Sequence, residues 1–207
     1  MRVISPSLPW SGNIAQRSTS LALQLDTESG PMHLIAHSMG GLDARRWISG
    51  LDGAGHILSL TTLATPHHGS VAANHVCGKL SPFRVFAGVR DLTTAKTATF
   101  NQQTPNHPRV VYRSYTAARP VEEQPWIVRS YGRVIQATEG DNDSQVSVRS
   151  ATWGEHIATL PCDHFELIGR NFWFNPFRPR ITFDPMPVYR DIGEWILQNS
   201  FHTESGD

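Results

Sequence analysis

The chain has 207 residues, 39% of them apolar, with 18 basic residues balanced by 18 acidic ones. That length suits one domain with a sizeable buried core, and the charge balance excludes the basic footprint of a nucleic-acid binder. No charged N-terminal segment leads into a long apolar run and no window approaches the about eighteen apolar residues of a membrane span, while two cysteines, Cys77 and Cys162, suit a reducing compartment at least as well as a disulfide.

Residues 2–5 read as a short strand, followed by a loop with Pro6, Pro9 and Gly12 and then a helix over 13–26 with Ile14, Leu21 and Leu25 on one face. Next comes PMHLIAHSMGGL at 31–42, an apolar strand over 32–36 that runs through a serine into a helix over 40–49. This is the pattern of a nucleophile elbow. A serine on a sharp strand-to-helix turn takes a strained backbone, so the residues two before and two after it must be small enough for strand and helix to pass closely. Ala36 and Gly40 meet that demand, with Ala36 standing where the common G-x-S-x-G has its first glycine. Such a turn exposes Ser38 Oγ at the carboxyl end of a sheet. It also puts the Met39 amide at a helix N-terminus, where amide and dipole together stabilise an oxyanion. The plain alternative is that Ser38 merely caps a helix. Arg45 and Arg46, the tight basic pair nearby, are expected on the solvent face of the helix.

A strand over 57–62 leads to Thr65-Pro66-His67-His68-Gly69. Adjacent histidines point in different directions and no third ligand stands at a metal-like spacing, so this reads as a loop rather than a zinc site. The stretch 81–108 is long and mixed and carries Phe83, Val85, Phe86, Val89 and Phe100. A strand over 110–115, a helix near 127–136, a strand near 157–160 and a final helix over 188–198 complete the alternation. It predicts an α/β fold with a mostly parallel sheet flanked by helices. Residues 171–180 (NFWFNPFRPR) are aromatic and basic. They suit contact with a membrane surface, or rings packed on the domain with wet arginines.

A serine nucleophile needs a histidine base, and the base needs a carboxylate, in the chain order Ser, Asp or Glu, His on this type of fold. Downstream of Ser38 two acidic loops compete, residues 139–144 and 162–166. Asp141, Asp143 and Asp163 are all candidates for the acid, and His156 competes with His164 for the base. An aspartate in a Gly-Asp-Asn-Asp turn is most often turn chemistry. Spacing alone leaves these alternatives open.

Four ordered blocks, 36–49 (AHSMGGLDARRWIS), 58–70 (LSLTTLATPHHGS), 140–154 (GDNDSQVSVRSATWG) and 163–169 (DHFELIG), resemble the triacylglycerol-lipase family of α/β-hydrolases. The likeness is nearest to intracellular fungal lipases and more distant to secreted bacterial true lipases. The resemblance implies Ser38 as nucleophile, Asp143 as acid and His164 as base, with the Met39 amide as an oxyanion donor. It implies hydrolysis of acylglycerols or other lipid esters through an acyl-enzyme, without a cofactor. It also implies an intracellular setting, cytoplasmic or mitochondrial, with transient contact at a membrane or lipid-droplet surface. One α/β-hydrolase domain would cover 1–207, with a lid or cap near 71–108 over an acyl pocket; the alternative for that segment's aromatics is core filling beneath a surface helix.

The sequence also departs from the family. Ser144-Gln145 replaces the usual Gly-Leu after the acid. Glu166 stands where bacterial relatives have a calcium-binding aspartate, but calcium needs several oxygen ligands, and one match predicts no metal. Thirty-seven residues precede Ser38 and hold no His-Gly pair, so the early strands and the loop with the second oxyanion amide look missing, as in an N-terminally truncated lipase. One lost donor costs about a hundred- to a thousand-fold in rate. The rival expectation is therefore a catalytically impaired or inactive lipase-like protein, and a weaker third is an acyltransferase or thioesterase.

Overall fold

Asn13 starts the first helix by a reciprocal cap: its side chain accepts the Gln16 amide at 2.8 Å while the Gln16 side chain accepts the Asn13 amide at 3.1 Å. This closes the N-terminal turn of α1 (Ile14–Leu25), whose inner face buries Ile14, Leu21, Ala22 and Leu25 and satisfies amides a bare helix end would leave unpaired. In the computed structural model the described residues are 2–50, 55–78, 87–170 and 183–200. They belong to two compact units, residues 1–164 and 165–207.

The first unit holds four strands, β1 (Met32–His37), β2 (Ile57–Leu63), β3 (Val111–Ala117) and β4 (Glu155–Leu160), all parallel in the order β1-β2-β3-β4. Parallel neighbours require crossovers. Here α2 (Gly40–Gly50) joins β1 to β2; α3 (Val71–Gly78), α4 (Ala87–Asp91) and α5 (Thr94–Gln103) lie between β2 and β3; and α6 (Arg129–Glu139) and α7 (Val148–Ala151) lie between β3 and β4. The parallel arrangement puts the carboxyl ends of all four strands along one edge.

The core joins Leu21, Ala22 and Leu25 of α1 to Ala44, Trp47 and Ile48 of α2, Ile57 and Leu60 of β2, and Val110 and Tyr112. Strand β2 is buried along almost its whole length, as a central parallel strand must be. Strand β1 forms one margin of the described sheet, and its Ile35 is 42% exposed.

Two expectations are corrected. Residues 2–5 form no strand: Val3 and Ile4 are exposed, Arg2 pairs with Glu28, and the Ser7 amide bonds the Gln24 side chain at 3.0 Å. A lone apolar pair becomes a strand only when a neighbour supplies a ladder. Arg45 is not on the solvent face; it is buried, while Arg46 is half-buried. It follows Gly41 and Leu42 by four and three positions, which is the inward face of α2. Of the stretch 81–108, residues 81–86, with Phe83, Val85 and Phe86, lie outside the described residues. Phe100 turns its ring toward the buried Arg45 guanidinium, 5.3 Å from its centroid.

In the second unit a single 3-10 turn at Glu166–Ile168 closes on Gly169 in the left-handed conformation, φ 66°. Helix α8 (Met186–Ser200) buries Ile192 and Ile196, one turn apart, and leaves Leu197 exposed. The aromatic and basic segment 171–180 lies outside the described residues. Among the described residues no helix is long and apolar enough to cross a membrane.

Candidate active site

Strand β1 ends at His37, and the chain turns at Ser38 with φ 54°, a left-handed backbone unusual for a residue with a side chain and worth on the order of 1–3 kcal/mol of strain. Neighbouring hydrogen bonds hold it there: the Ser38 amide donates to the Leu63 carbonyl at 2.9 Å, and the Thr65 hydroxyl donates to the Ser38 carbonyl at 2.7 Å. Of the two glycines after the serine, the tighter is Gly41, one position beyond the motif. A Cβ there would sit 2.7 Å from Thr65 Cγ2 and 2.9 Å from Thr62 Cγ2, whereas one at Gly40 would meet Ala36 Cβ at 3.8 Å, an ordinary contact. Ala36 and Gly40 thus form a small pair with room to spare.

The other candidates reach the same edge from distant points of the chain. The 140–143 loop is bonded back to the end of β3, since the Arg119 amide, two residues past that strand, donates to the Asn142 carbonyl at 3.0 Å. His164 stands four residues past the end of β4. The Ser38 hydroxyl and His164 Nε2 are 2.8 Å apart, and His164 Nδ1 is 2.7 Å from Asp143 Oδ2. A carboxylate only accepts, so Nδ1 carries the proton and the lone pair of Nε2 faces the Ser38 hydroxyl as its acceptor. Asp143 is fully buried, and His164 nearly so. The second carboxylate oxygen of Asp143 accepts the Gln145 amide at 2.9 Å and the Val146 amide at 2.7 Å; the Asp143 carbonyl accepts the His164 amide at 3.1 Å.

The open alternatives separate by place. Asp141 is exposed, Asp163 lies 3.8 Å from the Arg119 guanidinium, and His156 shares hydrogen bonds with Thr116 and Thr159 on the sheet. Ser144, where the family has glycine, keeps the turn glycine would make: its φ is 80°, and its amide donates to the Asn142 side chain at 2.9 Å. Met39 lies between the elbow and α2, and its carbonyl accepts the Leu42 and Asp43 amides at 3.0 and 3.1 Å. Its own amide therefore belongs to the group at a helix N-terminus that the helix itself leaves for an outside acceptor.

Around this edge lies a polar network that sequence reasoning missed. Arg45 donates to the Asn101 side chain at 2.8 Å and the Thr104 carbonyl at 3.1 Å, and its guanidinium sits 3.7 Å from the Trp153 ring centroid. Another N–H of Arg45 points at His67 Nδ1, 3.4 Å away, so His67 donates from Nε2 to Thr62 Oγ1 at 3.1 Å. Burial, then Arg45, holds His67 neutral, with its pKa well below the ordinary value, while burial pulls Arg45 down to about 10. The rings of His67 and His68 both pack on Trp153, with centroids 5.2 and 5.4 Å away. Among the described residues no group of three or more His, Cys, Asp or Glu is set to hold a metal.

A parallel sheet flanked by helices, a strained serine at a strand-to-helix turn, and a buried histidine and aspartate brought to that turn define the α/β-hydrolase class. The comparisons refine this. No family model matches the chain. The chain is 36% identical over 186 residues to triacylglycerol lipase 2 of Saccharomyces cerevisiae, a match over 80% of this chain and 57% of the yeast protein. Among solved structures it is similar to a mature Bacillus licheniformis lipase (TM-score 0.66, 21% identity, 91% of this chain and 76% of that one). It also matches a metagenomic carboxyl esterase (0.80, 16%, 94% and 65%) and the Staphylococcus hyicus lipase (0.65, 17%, 90% and 82%). The chain fits the triacylglycerol-lipase family of α/β-hydrolases, and it spans a little over half the length of the yeast relative.

Proposed function

We propose that the chain carries a serine carboxylic-ester hydrolase site that acts on acylglycerols or other lipid esters. The observation that supports it is the unbroken series of hydrogen bonds from Ser38 through His164 to Asp143. Ser38 Oγ attacks the ester carbonyl as His164 Nε2 takes its proton, and Asp143 stabilises the imidazolium. The oxyanion is stabilised by the Met39 amide. On collapse His164 returns the proton to the leaving alcohol, leaving an acyl-Ser38 ester. Water, deprotonated by His164, then cleaves that ester to free fatty acid and regenerated Ser38. The lipid choice rests on the relatedness to triacylglycerol lipase 2, and it implies work at a membrane or lipid-droplet surface.

The test is labelling of the purified chain by a fluorophosphonate, with hydrolysis of short and long p-nitrophenyl esters on the same samples. Labelling and turnover that both vanish in Ser38→Ala are expected. A folded chain that neither labels nor hydrolyses would refute the reading and leave an inactive lipase-like protein.

A further inference from the structure

His37 joins the elbow, which it precedes in the chain, to the loop of the base, and nothing in the mechanism above uses it. It precedes Ser38 in the chain, its Nε2 lies 2.8 Å from the main-chain carbonyl of His164, and its ring centroid lies 4.6 Å from that of His164, tilted by 47°. Resting on the hydrolase reading, we propose that His37 is a positioning residue. By donating Nε2–H to the His164 carbonyl and packing on its ring, it fastens the base at the distance from Ser38 that proton transfer needs.

A carbonyl oxygen only accepts, so the bond fixes which nitrogen of His37 carries the proton. Burial, and then the neighbouring His164, lower the pKa of His37 to about 3; the donor therefore persists through the neutral range and no second cation forms beside the base. The main chain of His164 is held at its amide, which donates to the Asp143 carbonyl at 3.1 Å, and at its carbonyl, which accepts from His37. Its ring is held by Asp143 at one nitrogen and faces Ser38 at the other. Removing the His37 donor releases the main-chain anchor at the His164 carbonyl. A shift of about 1 Å between reacting groups costs on the order of a hundredfold in rate. A histidine that merely filled space would be replaceable by any ring of its size.

Two variants separate these roles. His37→Phe keeps a ring and loses the donor; His37→Gln loses the ring and keeps an N–H of similar reach. On p-nitrophenyl esters, His37→Phe is expected to lower kcat by about ten- to a hundredfold with KM changed less than about twofold, and His37→Gln to regain most of the loss. Denaturant midpoints measured alongside report folding. A His37→Phe chain with kcat within about twofold of the parent, or a folded His37→Gln chain as slow as His37→Phe, would overturn the proposal.

Long-range 1H–15N spectra of the imidazoles in the Ser38→Ala protein supply a readout that needs no turnover. The expected spectrum shows His37 as the Nε2–H tautomer, unchanged between about pH 5 and 8. An Nδ1–H tautomer, or titration near the ordinary value of about 6.5, would overturn the assignment. Should the parent chain fail to label or hydrolyse, the hydrolase reading falls by itself, and these spectra still decide whether His37 makes its bond.

Discussion

Replacing Asp143 by asparagine isolates the work of one oxygen atom. Oδ1 accepts the Gln145 and Val146 amides at 2.9 and 2.7 Å, contacts that an asparagine carbonyl keeps, so the turn and its stability change little. Oδ2, 2.7 Å from His164 Nδ1, becomes an NH2 group that can only donate. The imidazole must then present a lone pair at Nδ1 and carry its proton at Nε2, 2.8 Å from Ser38 Oγ, where it cannot accept the serine proton. An inverted tautomer of this kind costs about 10,000-fold in kcat, about 5 kcal/mol of transition-state stabilisation. The assay is steady-state hydrolysis of a p-nitrophenyl ester by the parent chain, Asp143→Asn and the exposed control Asp141→Asn, with denaturant midpoints for all three. Asp143→Asn is expected to fold with the parent midpoint and fall by three to four decades, while Asp141→Asn matches the parent within about twofold. A folded Asp143→Asn chain within about tenfold of the parent, or equal losses in the two variants, would refute the assignment of the acid.

Two further outcomes follow from packing and charge. Gly41→Ala should destabilise by about 1–3 kcal/mol in denaturant unfolding, because its Cβ would press on Thr62 and Thr65. Gly40→Ala, with its nearest contact at 3.8 Å, should stay within about 0.5 kcal/mol of the parent; equal costs would contradict the packing described. Asp43 is fully buried, and although Arg17 lies 2.8 Å from its carboxylate, burial raises its pKa from 3.8 to about 6. The folded state therefore holds a proton between those values that the unfolded state has released, so this group's contribution to stability grows as pH falls from about 6 to about 3.8. Relative to Asp43→Asn, the parent should gain on the order of 3 kcal/mol across that window; identical pH profiles of unfolding in the two chains would exclude the effect.

Much of the molecule is legible locally. The apolar run at β1, the serine between small residues, and the strand and helix periodicities place the elbow and most elements to within a few residues, because they depend on neighbours one to four positions apart. The resemblance to lipases then picks Ser38, Asp143 and His164. Local pattern fails where a property depends on contacts far along the chain. Residues 2–5 look like a strand and find no ladder; Arg45 looks like a surface charge and is buried over Trp153 because α2 turns that face inward. The tight glycine is Gly41 rather than Gly40, a fact set by threonines on β2 and after it.

The sequence by itself determined the class: a serine elbow, followed by candidate acids and bases in hydrolase order, in an α/β alternation. Only the tertiary structure decided which carboxylate faces which imidazole, and that His37 bridges elbow and base. Ser38 and His164 are 126 positions apart, and four parallel strands ending on one edge bring them within a hydrogen bond. Such a meeting is a property of the whole sheet, and no stretch of residues short enough to carry a motif encodes it.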